Sequence, residues 1–140
     1  MSHAIDRGMS IELKVGLVGE TEHKVTEQDI AARWRSGLVD AYSTPALVGL
    51  AENACVVAVE KCLPDHQTCV GVEVNLKHLA ATPVGMVVKA RGELVEIAGK
   101  RLKFKVEAWD EKEKVCEGYH SRAIVDRSRF IDRLNQKAIH

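Results

Sequence analysis

The sequence predicts an α+β fold in which a strongly curved antiparallel sheet encloses one long central helix. Two observations carry that expectation. Residues 44–63, TPALVGLAENACVVAVEKCL, are almost wholly small or apolar, with one proline near the start and another, Pro64, directly after the end. Residues 68–125 then alternate apolar and polar side chains in four runs separated by turn-forming sequence, the period-two pattern of strands with one buried face. Only a strongly curved sheet can wrap a single helix on most sides.

The helix is marked at both ends. Ser43 or Thr44 suits the N-cap, and Pro45 fits the first turn, where its missing N–H costs nothing. Pro64 cannot continue a helix. From residue 46 to residue 59 nearly every side chain is apolar, and a helix apolar all round is buried all round. At 1.5 Å per residue it would run about 30 Å, the width of a small domain. Glu52, with Asn53 beside it, breaks the apolar pattern. A lone carboxylate in a buried helix is costly unless it is paired or used.

The other elements follow in chain order. Residues 1–9 read as loose, without an apolar signal region. Ile11, Leu13, Val15 and Leu17 alternate with polar residues as in a half-buried strand, Gly16 and Gly19 follow, and residues 21–26 suit a returning strand. Residues 27–42 are weakly patterned and accommodate a short helix over 28–35 and a loop through Gly37. Pro64, Asp65 and His66 form the exit loop of the central helix. In the strand at 68–79 one face carries Val70, Val72, Val74, Leu76 and His78, and the other Cys69, Gly71, Glu73, Asn75 and Lys77. AATPVG at 80–85 breaks the chain, a long strand covers 86–97, and AGKR at 98–101 is a hairpin signal. Leu102, Phe104, Val106 and Ala108 alternate with charges, DEKEK at 110–114 is a solvated turn, and residues 115–125 form a strand interrupted by Gly118. Residues 127–140 form a short C-terminal helix or tail, with helical spacing at Phe130 and Leu134.

A chain of 140 residues suits one domain, 1–140, with one core. Twenty basic and twenty acidic residues cancel, which argues against a nucleic-acid partner, since such proteins carry a basic surplus. The central helix holds Glu52 and many alanines among strands, so it reads as core and not as a membrane span. Cys55, Cys62, Cys69 and Cys116 show neither metal-ligand nor CxxC spacing. No metal and no cofactor are expected. The cysteines fit a reduced, cytoplasmic protein. A curved sheet with open edges suggests a homodimer or a dimer of dimers.

Four residues are candidates for chemistry. His78 lies on the inward face of its strand, and Glu52 lies on the helix that this face meets. An inward histidine is ordinarily a satisfied core residue, and Glu52 alone could pair with a cation across an interface. Two such groups on facing elements point to one shared site. Thr44 at a helix start is ordinarily a cap, but the free N–H groups and positive dipole end there also favour a developing anion. Gly71 fits a bulge or close backbone contact, and its N–H could donate to an oxyanion. His66, His120 and the terminal histidines read as surface.

TPALVGLAENAC at 44–55 and VNLKHLAATPVG at 74–85 resemble the hotdog-fold acyl-CoA thioesterases, and among them the fluoroacetyl-CoA thioesterase family. The resemblance spans about residues 42–125, with Thr, then Glu eight positions later, then His just before AATP. It implies that Thr44, Glu52 and His78 are the catalytic set, that Gly71 offers a backbone donor from the neighbouring subunit, and that acyl-CoA sites lie at a dimer interface. Coenzyme A would then be part of the substrate. The polar segment 33–40 departs from the family pattern, so acyl specificity does not carry over. Glu52 could attack the thioester or activate water, and Thr44 could donate a hydrogen bond or attack after losing its proton to His78. Two alternatives are a non-catalytic acyl-CoA-binding or ligand-sensing module and an enoyl-CoA hydratase on the same fold.

Overall fold

The computed structural model describes residues 12–139; the expectations for residues 1–9 and for Ile11 fall outside them. The chain forms β1 (Val18–Lys24), α1 (Thr44–Val59) closed by a 3-10 turn (Glu60–Cys62), β2 (Gln67–His78), β3 (Val87–Ala98), β4 (Arg101–Trp109), β5 (Lys114–Asp126) and α2 (Arg127–Ile139). The strands make one antiparallel sheet in the order β1-β3-β4-β5-β2, curled against α1.

The start of α1 follows from its sequence. Ser43 is extended and accepts a hydrogen bond from the Ala46 N–H at 3.2 Å, and Pro45 sits in the first turn. Thr44 is therefore free of capping duty. Leu47, Ala51, Ala54, Cys55 and Ala58 recur at helical spacing and pack into a core with Val88, Ala90, Leu94, Leu102, Phe104, Val106 and Val115. Small residues let the helix come close: a Cβ at Gly92 would stand 2.8 Å from Cys55 Sγ, and one at Gly19 would overlap the Ala54 carbonyl.

The expectation of a helix buried on all sides is corrected. α1 lies over the β1 and β3 half of the sheet and barely touches β2. Gly49, Asn53 and Val57 are exposed and Val48, Glu52 and Val56 only half-buried. The uncovered face carries valines too, so hydropathy could not show which side meets the sheet.

Three further expectations change. Val15 and Gly16 form a turn, not a strand; Gly16 N–H bonds Leu94 O and Leu94 N–H bonds Leu17 O, both at 2.8 Å, before a single strand, β1. Residues 31–35 are successive turns ended by Arg35 at φ +57°, not a helix. β5 runs through Gly118 without interruption.

A fifth correction bears on the site. β2 carries a bulge: Gly71 pairs with Arg122 but Glu73 pairs with Ser121, so Val72 is an extra residue. Side-chain phase slips by one there. Cys69 and Gly71 share the face of Val74, Leu76 and His78, opposite Ile124, Arg122, His120, Gly118 and Cys116 of β5. Simple alternation had placed Gly71 on the face away from His78.

Candidate active site

Because α1 covers half the sheet, a groove remains between its open face and the concave side of β2 and β5. Two polar stations lie along it. At one end Thr44 Oγ1 and His78 Nδ1 are 2.8 Å apart. They flank a cavity of about 290 Å³ walled by Val48, Val74 and Leu76. His78 Nε2 is buried and has no hydrogen-bond partner among the described residues. Burial holds the His78 pKa below its ordinary value, with the Ala80 backbone acting the other way. A neutral imidazole beside a free hydroxyl is suited to taking its proton.

The second station is Glu52. Eight residues separate it from Thr44, a rise of about 12 Å along the helix. Its Oε2 stands 3.6 Å from both Arg122 Nη1 and His120 Nε2. Gly71 lies directly beneath: a Cβ there would meet Glu52 Oε2 at 2.8 Å and His120 Cε1 at 3.3 Å. The four sequence candidates therefore fall into two pairs within one chain, Thr44 with His78 and Glu52 with Gly71.

His120 and Arg122 were missed by sequence reasoning. Both are buried, His120 at 1% exposure and Arg122 at 7%, where His120 had been read as surface. The signal was present: Cys116, Gly118, His120, Arg122 and Ile124 alternate inward along β5. An arginine in that series is as anomalous as Glu52 in its helix, but reading Gly118 as a break hid the phase.

Other groups are less suited to chemistry. Burial pushes the Cys55 thiol up to about 12 and the Cys116 thiol up to about 11, so neither supplies a thiolate near neutrality. A larger recess of about 410 Å³ lies on the outer face of the sheet. Its two carboxylates are both taken by one cation, Lys114 Nζ lying 2.9 Å from Glu107 and 3.0 Å from Glu117. Among the described residues no group of three or more His, Cys, Asp or Glu is placed to hold a metal ion, and no helix is long and apolar enough to cross a membrane.

An antiparallel five-stranded sheet curled against one helix is the architecture of the hotdog-fold thioesterases. Residues 25–128 match the FlK family, described as fluoroacetyl-CoA-specific thioesterase, and the chain belongs to that family. It is 34% identical over 98 residues to the fluoroacetyl-CoA thioesterase of Streptantibioticus cattleyicolor, covering 70% of each chain. The structure of a fluoroacetyl-CoA thioesterase superposes with a TM-score of 0.85 at 27% identity, covering 91% of this chain and 98% of that one. A thioesterase superfamily member from Thermus thermophilus shares the fold, with a TM-score of 0.80 at 23% identity over 89% of this chain and 94% of that one.

Proposed function

We propose that the protein hydrolyses short-chain acyl-CoA thioesters in a composite site built by two copies of the chain, with Thr44 and His78 from one and Glu52 and Gly71 from the other. The observation that carries this reading is the separation of the two pairs. Gly71 adjoins Glu52, yet along β2 it lies about 20 Å from His78, at 3.3 Å per paired residue. One active site cannot use both from a single chain. A two-fold axis crossing the groove midway between the stations brings each pair opposite its complement and creates two equivalent sites.

The surface suits such pairing. Among the described residues β2 is an edge strand, bonded only to β5, and exposed long edges invite a second chain. Val72 and Val74 on it are 43% and 46% exposed, and Val57 on α1 is 39% exposed. A second copy laid along this edge would cover them and close the groove.

In the proposed reaction Thr44 Oγ1 attacks the thioester carbonyl carbon while His78 takes its proton. The C–S bond breaks, and the departing thiolate takes the proton back from His78. Water then cleaves the acyl-threonine ester with Glu52 from the opposing chain as base, returning the proton to Thr44 Oγ1 and releasing the acid. Glu52 is given the role of base here, with its Oε2 standing 3.6 Å from the Arg122 guanidinium. Gly71 presents backbone where a side chain would crowd Glu52, leaving space for a small acyl group and a backbone donor to its oxyanion.

The test is thiol release from a panel of short acyl-CoAs. His78→Ala and Glu52→Gln are each expected to lower kcat roughly 10²- to 10⁴-fold while the proteins stay folded. Near-full turnover in both variants would refute the assignment. Binding without thiol release by the unaltered protein would mark a sensing module, and loss of an enoyl chromophore without thiol release would mark a hydratase.

A further inference from the structure

Arg122 is buried, and its guanidinium is held at three nitrogens. Nε donates to Cys69 Sγ, Nη2 to the Cys69 carbonyl and Nη1 to His120 Nε2, each at 3.0 Å. The same Nη1 stands 3.6 Å from Glu52 Oε2. On the far side of the imidazole, His120 Nδ1 meets the Glu73 carbonyl at 2.8 Å. A carbonyl only accepts and a guanidinium only donates, so the ring state is determined: the proton is on Nδ1, Nε2 is a lone-pair acceptor, and the ring is neutral. Nε2 is also 3.6 Å from Glu52, but with its lone pair given to Arg122 that contact is not an ion pair. Phe104 stacks on the ring, with centroids 6.4 Å apart and planes 28° apart.

We propose that His120 is a positioning residue: as a neutral Nε2 acceptor wedged between the Glu73 carbonyl and Arg122, it aims the guanidinium at Glu52 and thereby fixes where that carboxylate points. This inference rests on the hydrolytic role given to Glu52. A protonated ring would set its own N–H against the N–H of Arg122 and force two buried cations apart. Burial holds the His120 pKa below its ordinary value, with the Glu73 carbonyl acting upward, Arg122 downward and Glu52 upward. Without the acceptor, Nη1 loses the bond that sets its orientation, and Glu52 loses a fixed neighbour.

Two substitutions separate the ring's two bonds. His120→Gln can place an oxygen near the Nε2 position and keep an acceptor for Arg122. His120→Asn can keep a donor to the Glu73 carbonyl but offers Arg122 nothing. The Asn variant is expected to lose roughly 10- to 100-fold in kcat with KM within a few-fold, the Gln variant to stay within a few-fold of the parent, and the Asn change to have little effect in an Arg122→Met background. Equal losses in Gln and Asn variants, or an undiminished Asn effect without Arg122, would reduce His120 to a packing residue.

Nitrogen-15 NMR of the ring reads the same claim without turnover. A protonated Nδ1 and bare Nε2 are expected at neutral pH, with the titration moving upward in Arg122→Met. A protonated Nε2 at neutral pH would overturn the proposal even if no variant can be assayed. If the unaltered protein hydrolyses no acyl-CoA while the ring signals are as expected, the reaction assignment fails, and the role of His120 in catalysis with it, but the ring's hold on Arg122 stands.

Discussion

Gly71 lies beneath Glu52, so close that a single added methyl group would sit 2.8 Å from the carboxylate oxygen. The nearby His120 Cε1, at 3.3 Å, belongs to a ring held at both nitrogens, so the carboxylate is the group that must give way. Gly71→Ala is therefore expected to leave stability within about 1 kcal/mol of the parent while lowering kcat about tenfold or more through displacement of Glu52. Melting curves and thiol-release kinetics on one preparation check both halves. Unchanged kcat would mean that the position of Glu52 is immaterial to turnover.

Ser43, not Thr44, caps α1, so the Thr44 hydroxyl can be removed without the roughly 1 kcal/mol penalty of a lost cap. Thr44→Ala is expected to lower kcat roughly 100-fold or more at nearly constant melting temperature, and Thr44→Ser to keep most activity. A large stability loss in the alanine variant would assign the hydroxyl a structural role instead.

The composite site predicts rescue between defective chains. Thr44→Ala and Glu52→Gln proteins, each inactive alone, are expected on co-refolding to recover about a quarter of parental activity, since half the dimers are mixed and one of their two sites is whole. A site contained within one chain would give no recovery, because every chain in the mixture carries a defect. Val74→Asp on the β2 edge should give a monomer in sedimentation experiments that turns over no acyl-CoA.

His78 and His120 are both held below the ordinary histidine pKa, each chiefly by burial. A depressed folded-state pKa means that the unfolded chain binds protons more readily. The stabilisation is thus present above the unfolded value of about 6.5 and is lost as pH falls through the folded values. Chemical denaturation midpoints are expected to be flat above pH 7 and to fall below about pH 6.5, and His120→Gln should soften that fall. The acid limb of kcat should likewise lie below 6.5, because His78 stays unprotonated to lower pH than a free imidazole. A midpoint that rises on acidification would contradict both burial arguments.

The order of elements was legible because its signals are local: a proline-bounded apolar run, alternating strands and the hairpin sequence at 98–101. Glu52 and His78 stood out as polar residues in apolar patterns, and Thr44 only by its place at the start of the helix. What escaped depended on pairing between distant segments. The bulge at Val72 is visible only from the register with β5, and without it Gly71 falls on the wrong face. Arg122 and His120 were hidden because the strand's phase was lost at Gly118. The open side of α1 could not be read from its sequence, since Val48, Val56 and Val57 are as apolar as the side chains that meet the sheet.

The glycine seam at Gly19 and Gly92 has a consequence for how this scaffold can change. With backbone touching backbone on that flank, the helix has no slack to withdraw toward β1 and β3. Any variant that accepts a bulkier acyl chain must make room on the opposite bank, by trimming Val74 or Leu76 or by letting the second half of β2 splay outward. Selection for larger substrates should therefore leave its mark on one short stretch of an edge strand.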